Sequence, residues 1–547
     1  MKTYQVPRED FIVPLCNSAC PAEVDVPRYI RAVKDGRYDD AVAVLREKLP
    51  LPTVCADACF APCEDACAYK QFGDPVAIRA LKRAAVDNGG DSWLKNKKQA
   101  PSTGKKVGVV GAGPAGLTAA YYLATQGHEV TLFDGWPEPG GTLRFGVPEF
   151  RLPKERLGRD IKHIMDLGVE FKGNTKIGAS TSFDELKQSH DAVFLACGTM
   201  ANSKVRLPGA DSEGVLWGWD FLKAVSEGRE FDLGSKVVVL GGGNVALDAA
   251  RTARRLGADV TLIYRRTRNE MPAHPDEVAA AEAEGVSILE KWSPNRVLFG
   301  EKVTGLVLIS CASDGDGGRE CKLTLDEDIT HRVDANTIIV AIGQEADLEF
   351  LSSDTDTCAS PKKLNINLDT LETGTPGVFA GGDVVTGPAS IVSAIGQGRK
   401  AAETIDRYLG GSGDVSEVLA PPEDVVELGP FSCSFEPRQE MATLPSWQRQ
   451  TGFEQVEKGL SIRQIDTEAA RCLNCDARKF EVVVNTENCK ECGYCVEVCK
   501  VDSFGPADFF NEKGYRPMEK KSDDYCVGCR KCFYACPDFA IDIIQKH

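Results

Sequence analysis

The chain has 547 residues, 42% of them hydrophobic and 27% charged, which is too long for one hydrophobic core and predicts several folded units. Its formal net charge of −17 argues against a nucleic-acid partner, because phosphate binding needs a basic surface. No apolar run approaches the roughly 20 residues of a membrane span, and the start lacks a signal peptide's apolar centre, so we expect a cytoplasmic protein.

The sequence contains 21 cysteines, and a reducing compartment disfavours a disulfide framework for them. Sixteen lie in tight groups, which predicts bound metal. The isolated ones are interpreted as small buried or surface residues: Cys197, Cys311, Cys321, Cys358 and Cys433.

Residues 1–100 are predicted to form a helical domain that holds iron–sulfur clusters. Between its two cysteine groups, apolar residues recur at helical spacing over residues 26–49 with a break at Gly36, which predicts a helical hairpin. Six thiols in so small a region favour iron–sulfur clusters, with a structural zinc site as the alternative. These thiols are Cys16, Cys20, Cys55, Cys59, Cys63 and Cys67.

Residues 101–235 are predicted to begin a dinucleotide-binding domain. A buried strand at 107–110 leads into a G-x-G-x-x-G turn and then an apolar helix. Such glycines allow a tight turn, close approach of a pyrophosphate and packing of helix on strand. Asp134 lies 23 residues after the first glycine, where a carboxylate suits the ribose hydroxyls. The glycines of this turn are Gly111, Gly113 and Gly116.

Residues 236–345 repeat this pattern, with a strand at 237–240, a glycine turn and a helix. Counting 23 residues from the first glycine leads to Tyr264, followed by Arg265 and Arg266. A carboxylate here would repel a 2′-phosphate, whereas two guanidiniums bind it through charge-assisted hydrogen bonds. The candidate residues of this turn are Gly241, Gly243, Asn244 and Val245.

The contrast between the acid of the first fold and the two arginines of the second assigns FAD to the first fold and NADP(H) to the second. The alternative is that the arginines are only exposed residues of a surface loop. The flavin domain then resumes at residues 346–410, with the NADP(H) domain inserted in it. There a strand ends on Gly382 and Asp383, which are placed to hold the ribityl and phosphate part of a flavin. Two further candidate cofactor residues precede the insert: Gly141 and Arg144.

Inside the insert we expect strands at 303–309 and 321–325, joined by a glycine-rich turn at 315–318. Neither C-x2-C nor C-x4-C occurs in the nucleotide-binding region. We therefore do not expect thiol–disulfide exchange on the flavin.

Residues 411–480 have sparse periodicity and are predicted to form an extended connector that carries Arg471-Cys472-Leu-Asn-Cys475. Residues 481–547 have the spacing of bacterial two-cluster ferredoxins, although Lys500 replaces the usual proline. In such runs the fourth cysteine binds the other cluster. The expected sets are Cys489, Cys492, Cys495 with Cys536, and Cys526, Cys529, Cys532 with Cys499.

Seven motifs from Cys16 to Leu409 carry a family resemblance: PLCNSACP, VCADACFAPCEDAC, VVGAGPAGL, GGTLRFGVPEFRLPK, GGGNVALD, YRRTRNEMPA and VFAGGD. They resemble the small (beta) subunit of glutamate synthase and its relatives, which include the N-terminal part of dihydropyrimidine dehydrogenase. The resemblance implies an α/β fold with two nested Rossmann-type domains behind a helical iron–sulfur domain. The ferredoxin runs add an α+β domain at the C-terminus.

Family members commonly begin with an R-C-x2-C-x4-C-x3-C-P run, of which this chain starts with only the second half. We expect the connector to fold back and supply the missing half. The first implied cluster is bound by Cys16, Cys67, Cys472 and Cys475.

The second implied N-terminal cluster uses Cys20, Cys59 and Cys63. Its fourth ligand in relatives can be a Gln or Glu about one helix later. Lys82 aligns with that position and cannot serve, so Cys55 is the expected substitute.

The sequence thus predicts a subunit of a hetero-oligomer that moves electrons between NADPH, FAD and four [4Fe–4S] clusters, to or from ferredoxin or a larger partner oxidoreductase. One alternative is the glutamate synthase small subunit itself, and another is a non-catalytic electron wire or scaffold. Hydride transfer needs no acid–base side chain, so we assign no catalytic residue. The direction of electron flow stays open.

Overall fold

The computed structural model describes residues 4–203, 205–313, 323–351, 356–360, 363–429 and 434–546. The chain divides into two compact units. The first comprises Met1–Lys97, Ser416–Ala442 and Gly459–His547, and the second comprises Lys98–Val415 and Thr443–Lys458. Among the described helices, none combines the length and the apolar character needed to cross a membrane.

The first unit is mainly helical around its N-terminal cysteines. Its α-helices are Leu15–Ser18, Val26–Lys34, Tyr38–Arg46, Pro52–Ala58, Pro62–Asp65, Ile78–Asn88, Ile462–Ala469, Tyr494–Val498 and Lys531–Ala535. Single 3₁₀ turns occur at Arg8–Asp10, Ala68–Gln71 and Ser92–Lys95. The predicted hairpin is present, because Val26–Lys34 and Tyr38–Arg46 are separated by Gly36 in the left-handed region at φ 70°.

The strands of this unit form three antiparallel pairs. Tyr4–Pro7 pairs with Val425–Leu428, which ties the N-terminus to the connector. In the C-terminal domain, Lys479–Val484 pairs with Ile541–Lys546, and Phe504–Pro506 pairs with Met518–Lys520. This arrangement gives the C-terminal domain its predicted α+β class.

The second unit contains two five-stranded sheets whose strands all run parallel. The first has the order Val378–Ala380, Ala192–Leu195, Lys106–Val110, Glu129–Phe133 and Glu170–Lys172. The second has the order Ser287–Glu290, Asp259–Tyr264, Lys236–Leu240, Thr337–Val340 and Val215–Trp217. Strands with nearly continuous buried runs, such as Lys106–Val110, are typical of parallel sheets covered on both faces.

The second unit also contains helices. They are Pro114–Thr125, Thr142–Phe145, Lys154–Met165, Phe183–Ser189, Gly218–Ser226, Asn244–Arg255, Pro275–Ala283, Asp383–Thr386, Ile391–Tyr408 and Ser446–Arg449, with 3₁₀ turns at Arg268–Glu270 and Glu349–Leu351. The two central helices of the first fold approach very closely, because a Cβ built on Gly398 would lie 2.3 Å from the carbonyl oxygen of Ala115. The chain thus returns to the first sheet through Val378–Ala380 and Ile391–Tyr408, after the second sheet is complete.

The remaining strands are short or form a separate antiparallel sheet. That sheet contains Trp292–Phe299, Val303–Ser313 and Leu323–Asp334. The short strands are Ala201–Asn202, Gln344–Glu345, Cys358–Ser360, Lys363–Leu364, Ala442–Thr443 and Glu457–Gly459. The predicted turn at 315–318 and the isolated cysteines Cys321 and Cys433 lie outside the described residues.

The second sheet also contains residues that precede the predicted domain boundary at residue 236. Val215–Trp217 pairs with Thr337–Val340, and the helix Gly218–Ser226 packs on Asn244–Arg255. A three-residue strand without a glycine turn carries little periodic signal, which is why the sequence placed the boundary later.

Candidate functional site

The first glycine turn combines two close approaches with one open position. Gly111 has φ 106°, and a Cβ on it would lie 2.4 Å from the carbonyl oxygen of Ala196. A Cβ on Gly116 would lie 1.9 Å from the carbonyl oxygen of Gly111. In contrast, a Cβ on Gly113 would meet nothing within 4 Å, so the backbone there is open to an approaching group. This is the distribution of space that pyrophosphate binding requires.

Asp134 is held beside this turn by backbone donors. Its Oδ2 accepts a hydrogen bond from the N–H of Ala112 at 2.7 Å, and its Oδ1 accepts one from Trp136 at 2.9 Å. Burial raises the pKa of this carboxyl above its ordinary value. The carboxylate is therefore fixed at the carboxyl end of its strand, beside the first glycine turn.

Two distant glycine motifs converge on the same turn. A Cβ on Gly141 would lie 2.8 Å from the Cα of Gly113. A Cβ on Gly382 would lie 3.0 Å from the Cβ of Ala115, at the start of the helix Pro114–Thr125. Three separated segments therefore surround one helix N-terminus, which is a favourable place for phosphate charge.

The polar residues of these motifs are placed differently. Asp383 is mostly buried, which raises the pKa of its carboxyl to about 6. Arg144 pairs with Glu138 at 2.8 Å and donates from Nε to the carbonyl oxygen of Pro139. Gln397 carries no motif that marks it in the sequence, and its Oε1 accepts the N–H of Gly382 at 2.7 Å.

The second glycine turn repeats the backbone of the first. Gly241 has φ 137°, and a Cβ on Gly243 would meet only Pro272, at 4.0 Å. The N–H of Gly241 donates to Ile263, just as that of Gly111 donates to Phe133. Tyr264 and Asp134 therefore occupy equivalent positions.

Tyr264 and the residues after it form a different environment. A Cβ on Gly242 would lie 2.4 Å from the ring of Tyr264, so the ring covers the turn. Arg265 is exposed, whereas Arg266 is buried and lies 3.5 Å from the carboxylate of Glu270. The two arginines are thus not equivalent, and Arg265 presents its guanidinium to solvent.

The helix of the second turn starts at Asn244. Its Oδ1 accepts the N–H of His274 at 3.2 Å, and the N–H of Ala273 donates to the carbonyl oxygen of Gly242. Val245 is half-buried beside it. The loop that follows the two arginines therefore packs against the glycine turn.

Four cysteines from distant parts of the chain line one cavity in the first unit. The four are Cys16, Cys67, Cys472 and Cys475. The cavity has a volume of about 400 Å³, including its opening to solvent. Burial raises the pKa of each of these thiols, to about 11 for Cys472. The connector thus brings its two cysteines back to the N-terminal domain.

Arg471 anchors this return. Its buried guanidinium donates to the carbonyl oxygens of Asp74 at 2.5 Å and Pro75 at 3.2 Å, and pairs with Glu468 at 2.6 Å. Glu468 also accepts the N–H of Ala77 at 2.6 Å. The arginine of the R-C-x2-C motif therefore fastens the connector to the N-terminal domain, and Glu468, which carried no sequence signal, completes the contact.

The other four N-terminal cysteines form a second buried group: Cys20, Cys55, Cys59 and Cys63. A hydrogen bond from the thiol of Cys55 lowers the pKa of Cys59 to about 6. The N–H of Ala61 also donates to the sulfur of Cys59 at 3.3 Å. Lys82 is buried beside this group, on the helix Ile78–Asn88.

The ferredoxin cysteines are also grouped. Cys499 lies near Cys526, Cys529 and Cys532, while Cys489 and Cys492 lie near Cys495. Cys536 belongs to a hydrophobic core that also contains Cys489, Cys495 and Cys532. Among the described residues, no three His, Cys, Asp or Glu side chains converge closely enough to bind one metal ion. In a four-iron cluster each thiolate binds a different iron, so the ligands surround a cube instead of a single point.

Three protein families match the chain. Residues 105–398 match the family described as pyridine nucleotide-disulphide oxidoreductase. Residues 12–92 match dihydropyrimidine dehydrogenase domain II, 4Fe-4S cluster, and residues 488–540 match a 4Fe-4S dicluster domain. These matches confirm the predicted fold class and the iron–sulfur domains at both ends.

Curated relatives extend the similarity over most of the chain. It is 38% identical to the NADP(+)-dependent formate dehydrogenase subunit beta of Moorella thermoacetica, over 85% of this chain and 71% of that protein. It is also 38% identical to the NADPH-Fe(3+) oxidoreductase subunit beta of Geobacter sulfurreducens, over 84% and 75%. The glutamate synthase [NADPH] small chain of Escherichia coli is 33% identical, over 72% and 89%, which confirms the expected resemblance. The chain therefore belongs to the pyridine nucleotide-disulphide oxidoreductase family and carries 4Fe-4S domains at both ends.

Proposed function

We propose that this chain is the NADPH-oxidising electron-transfer subunit of a larger oxidoreductase complex, in which FAD occupies the first dinucleotide fold and NADPH the second. The observation that carries the proposal is the contrast at equivalent strand ends. Asp134 offers a carboxylate to a ribose, whereas the chain beyond Tyr264 offers positive charge to a 2′-phosphate.

The residues present fit FAD in the first fold. The open backbone at Gly113 and the close approaches of Gly141 and Gly382 leave space for a pyrophosphate at a helix N-terminus. Asp134 would bind the adenosine ribose, and Asp383 would bind the ribityl and phosphate part. When bound, FAD supplies the conversion between hydride and single-electron transfer.

The second fold fits NADP(H) in the same way. The open position at Gly243 and the N-terminus of Asn244–Arg255, with Asn244 and Val245 in its first turn, would receive the pyrophosphate. Arg265 would bind the 2′-phosphate directly, because its guanidinium is exposed at the strand end. Arg266, buried next to Glu270, would add positive charge behind it.

The sixteen grouped cysteines fit four [4Fe–4S] clusters, two in the N-terminal domain and two in the C-terminal one. Thiolate-rich sets with four members each are the donor chemistry that such clusters need. One N-terminal set draws two ligands from the connector, and Cys55 completes the other. When bound, such clusters would supply one-electron transfer to or from ferredoxin or a larger partner.

The relatives named as beta subunits of a formate dehydrogenase and an Fe(3+) oxidoreductase support a hetero-oligomeric role. The glutamate synthase small chain is the second candidate function, supported by its match to 72% of this chain. Glutamate formation from glutamine with a co-purified large subunit would decide in its favour.

The experiment is an anaerobic purification followed by iron and flavin analysis and NADPH oxidation with a viologen dye. We expect one FAD, iron for four clusters and rapid dye reduction. The double variant Cys472→Ser/Cys475→Ser should lose the iron of one cluster, about a quarter of the total, while FAD stays bound. Cys311→Ser is the matched control, since this buried cysteine lies outside the grouped sets. A chain without FAD, or undiminished iron in the double variant, would contradict the proposal.

A further inference from the structure

Lys82 is an unusual residue in the N-terminal domain because it is a buried cation among cysteines. Only 4% of its surface is exposed, and it lies on the helix Ile78–Asn88. This helix packs against Pro52–Ala58 and Pro62–Asp65, which carry cysteines of the second set. Burial opposes the charge of its ammonium group, whereas negative charge on the nearby cysteines raises its pKa. These cysteines are, in order of effect, Cys59, Cys55, Cys63 and Cys20.

The neighbouring cations of the same helix have other partners. Arg83 pairs with Asp57 at 2.6 Å and with Asp87 at 2.5 Å. Arg79 donates to the carbonyl oxygen of Asp57 at 3.2 Å, and its charge also acts on Cys59, less strongly than that of Lys82. For Lys82, no carboxylate lies within salt-bridge distance in the part of the chain that the structure describes.

A buried ammonium ion is costly unless opposite charge surrounds it. Without a cluster, this set offers Lys82 the opposite charge of Cys59, whose pKa is lowered to about 6. Four thiolates around an iron–sulfur core outnumber the positive charge of the core, and each reduction adds one more negative charge. The buried position of Lys82 is therefore more favourable when the second cysteine set carries its cluster than when Cys59 alone offers opposite charge.

The first cysteine set has a different charge environment. The charge of Arg31 favours the thiolate form of Cys472. Arg31 is itself paired with Glu423 at 2.5 Å and with Asp476 at 2.7 Å. Arg471, which acts on Cys67, pairs with Glu468. The cations near the first set are thus balanced by carboxylates.

We propose that Lys82 is a positioning residue that raises the reduction potential of the cluster bound by the second N-terminal cysteine set, so that this cluster is reduced before the other N-terminal one. The inference rests on the proposed function. The step is a one-electron reduction: the cluster gains one electron from the reduced flavin, no proton moves, and Lys82 stays charged. Its ammonium stabilises the added negative charge.

The test compares Lys82→Met, which removes the charge, with Lys82→Arg, which keeps it. Each full-length chain is purified anaerobically, its iron and FAD are measured, and its clusters are titrated with dithionite while their EPR signals are recorded. We expect Lys82→Met to shift the reduction equilibrium of one cluster at least tenfold toward the oxidised state, which is about 59 mV. Lys82→Arg should retain the wild-type potential.

Four clusters with unchanged potentials in Lys82→Met would overturn the inference. If Lys82→Met loses iron, Lys82→Leu gives a second neutral variant, and loss of the same cluster in both would assign Lys82 a structural role instead. Failure of the proposed function is seen separately, because the wild-type chain itself would then contain less iron than four clusters need or would lack FAD.

Discussion

The two dinucleotide folds have the same backbone and different strand ends. In both, the N–H of the first glycine donates to the residue before the strand-end position. In the first fold that position is Asp134, which binds the N–H of Ala112, and in the second it is Tyr264, whose ring covers Gly242. The comparison teaches that the two copies share the backbone of the glycine turn and differ at the strand end, which supports our proposal that the strand end selects the nucleotide.

The folds also differ where helix meets strand. Gly116 leaves no room for a Cβ, since one would lie 1.9 Å from a carbonyl oxygen. The second fold has Ala246 at the matching position, fully buried within the hydrophobic core. The first helix therefore lies closer to its strand than the second can.

The largest effect is expected from Gly116→Ala. The added methyl group must displace the turn that forms the FAD site, so we expect a purified chain without bound FAD, measured by its absorbance spectrum. Ala246→Gly is the matched control in the other fold and should cost only about 1 kcal/mol of stability through helix propensity. Normal FAD content in Gly116→Ala would break the comparison.

Asp134→Ala should weaken FAD binding by about 4 kcal/mol, roughly a thousandfold. It removes the bonds to the ribose and leaves the N–H groups of Ala112 and Trp136 without acceptors. Titration of the flavin-stripped chain with FAD, followed by fluorescence quenching, measures the loss. Tyr264→Phe should bind FAD as the wild type does, and equal weakening in both variants would contradict the assignment.

Asp383→Asn should stabilise the flavin-stripped chain at neutral pH. Burial raises the pKa of Asp383 from 3.8 to about 6, so the protonated form is favoured in the folded state. The protonated carboxyl stabilises the folded state fully at pH values below its pKa in the unfolded chain, 3.8. This stabilisation is lost as the pH rises through about 6, and the loss amounts to up to about 3 kcal/mol.

Thermal unfolding between pH 5 and 8 checks this expectation. The unfolding temperature of Asp383→Asn should rise relative to the wild type across the range, while the exposed control Asp369→Asn should show no such trend. A difference independent of pH would refute the assignment to this carboxyl.

The smallest effect is expected from Arg265→Ala. Loss of one charge-assisted contact to the 2′-phosphate should raise the activation free energy with NADPH by about 2 kcal/mol. This lowers kcat/KM for NADPH roughly thirtyfold and leaves kcat/KM for NADH unchanged. Arg268→Ala is the control, since Arg268 is exposed nearby but pairs with Glu282 and Glu290. An equal loss of kcat/KM with both coenzymes would show that Arg265 does not bind the 2′-phosphate.

Local signals in the sequence predicted much of the fold. The strand expected at 107–110 is present as Lys106–Val110, because a glycine turn marks its end in the sequence. The short strand Val215–Trp217 was missed because it has no such signal. At the site, the sequence located Arg266 but not its burial against Glu270, which depends on tertiary packing. The return of Cys472 to Cys16 crosses most of the chain, so only the family resemblance indicated it.

The central claim is tested most directly by the rate of flavin reduction in the wild-type chain with NADPH and with NADH, measured by stopped-flow absorbance under anaerobic conditions. The contrast between Asp134 and Arg265 predicts that NADPH is the preferred donor and that the preference falls when Arg265 and Arg266 are both neutralised. Equal reduction by the two coenzymes in the wild type, or a preference for NADH, would contradict the account.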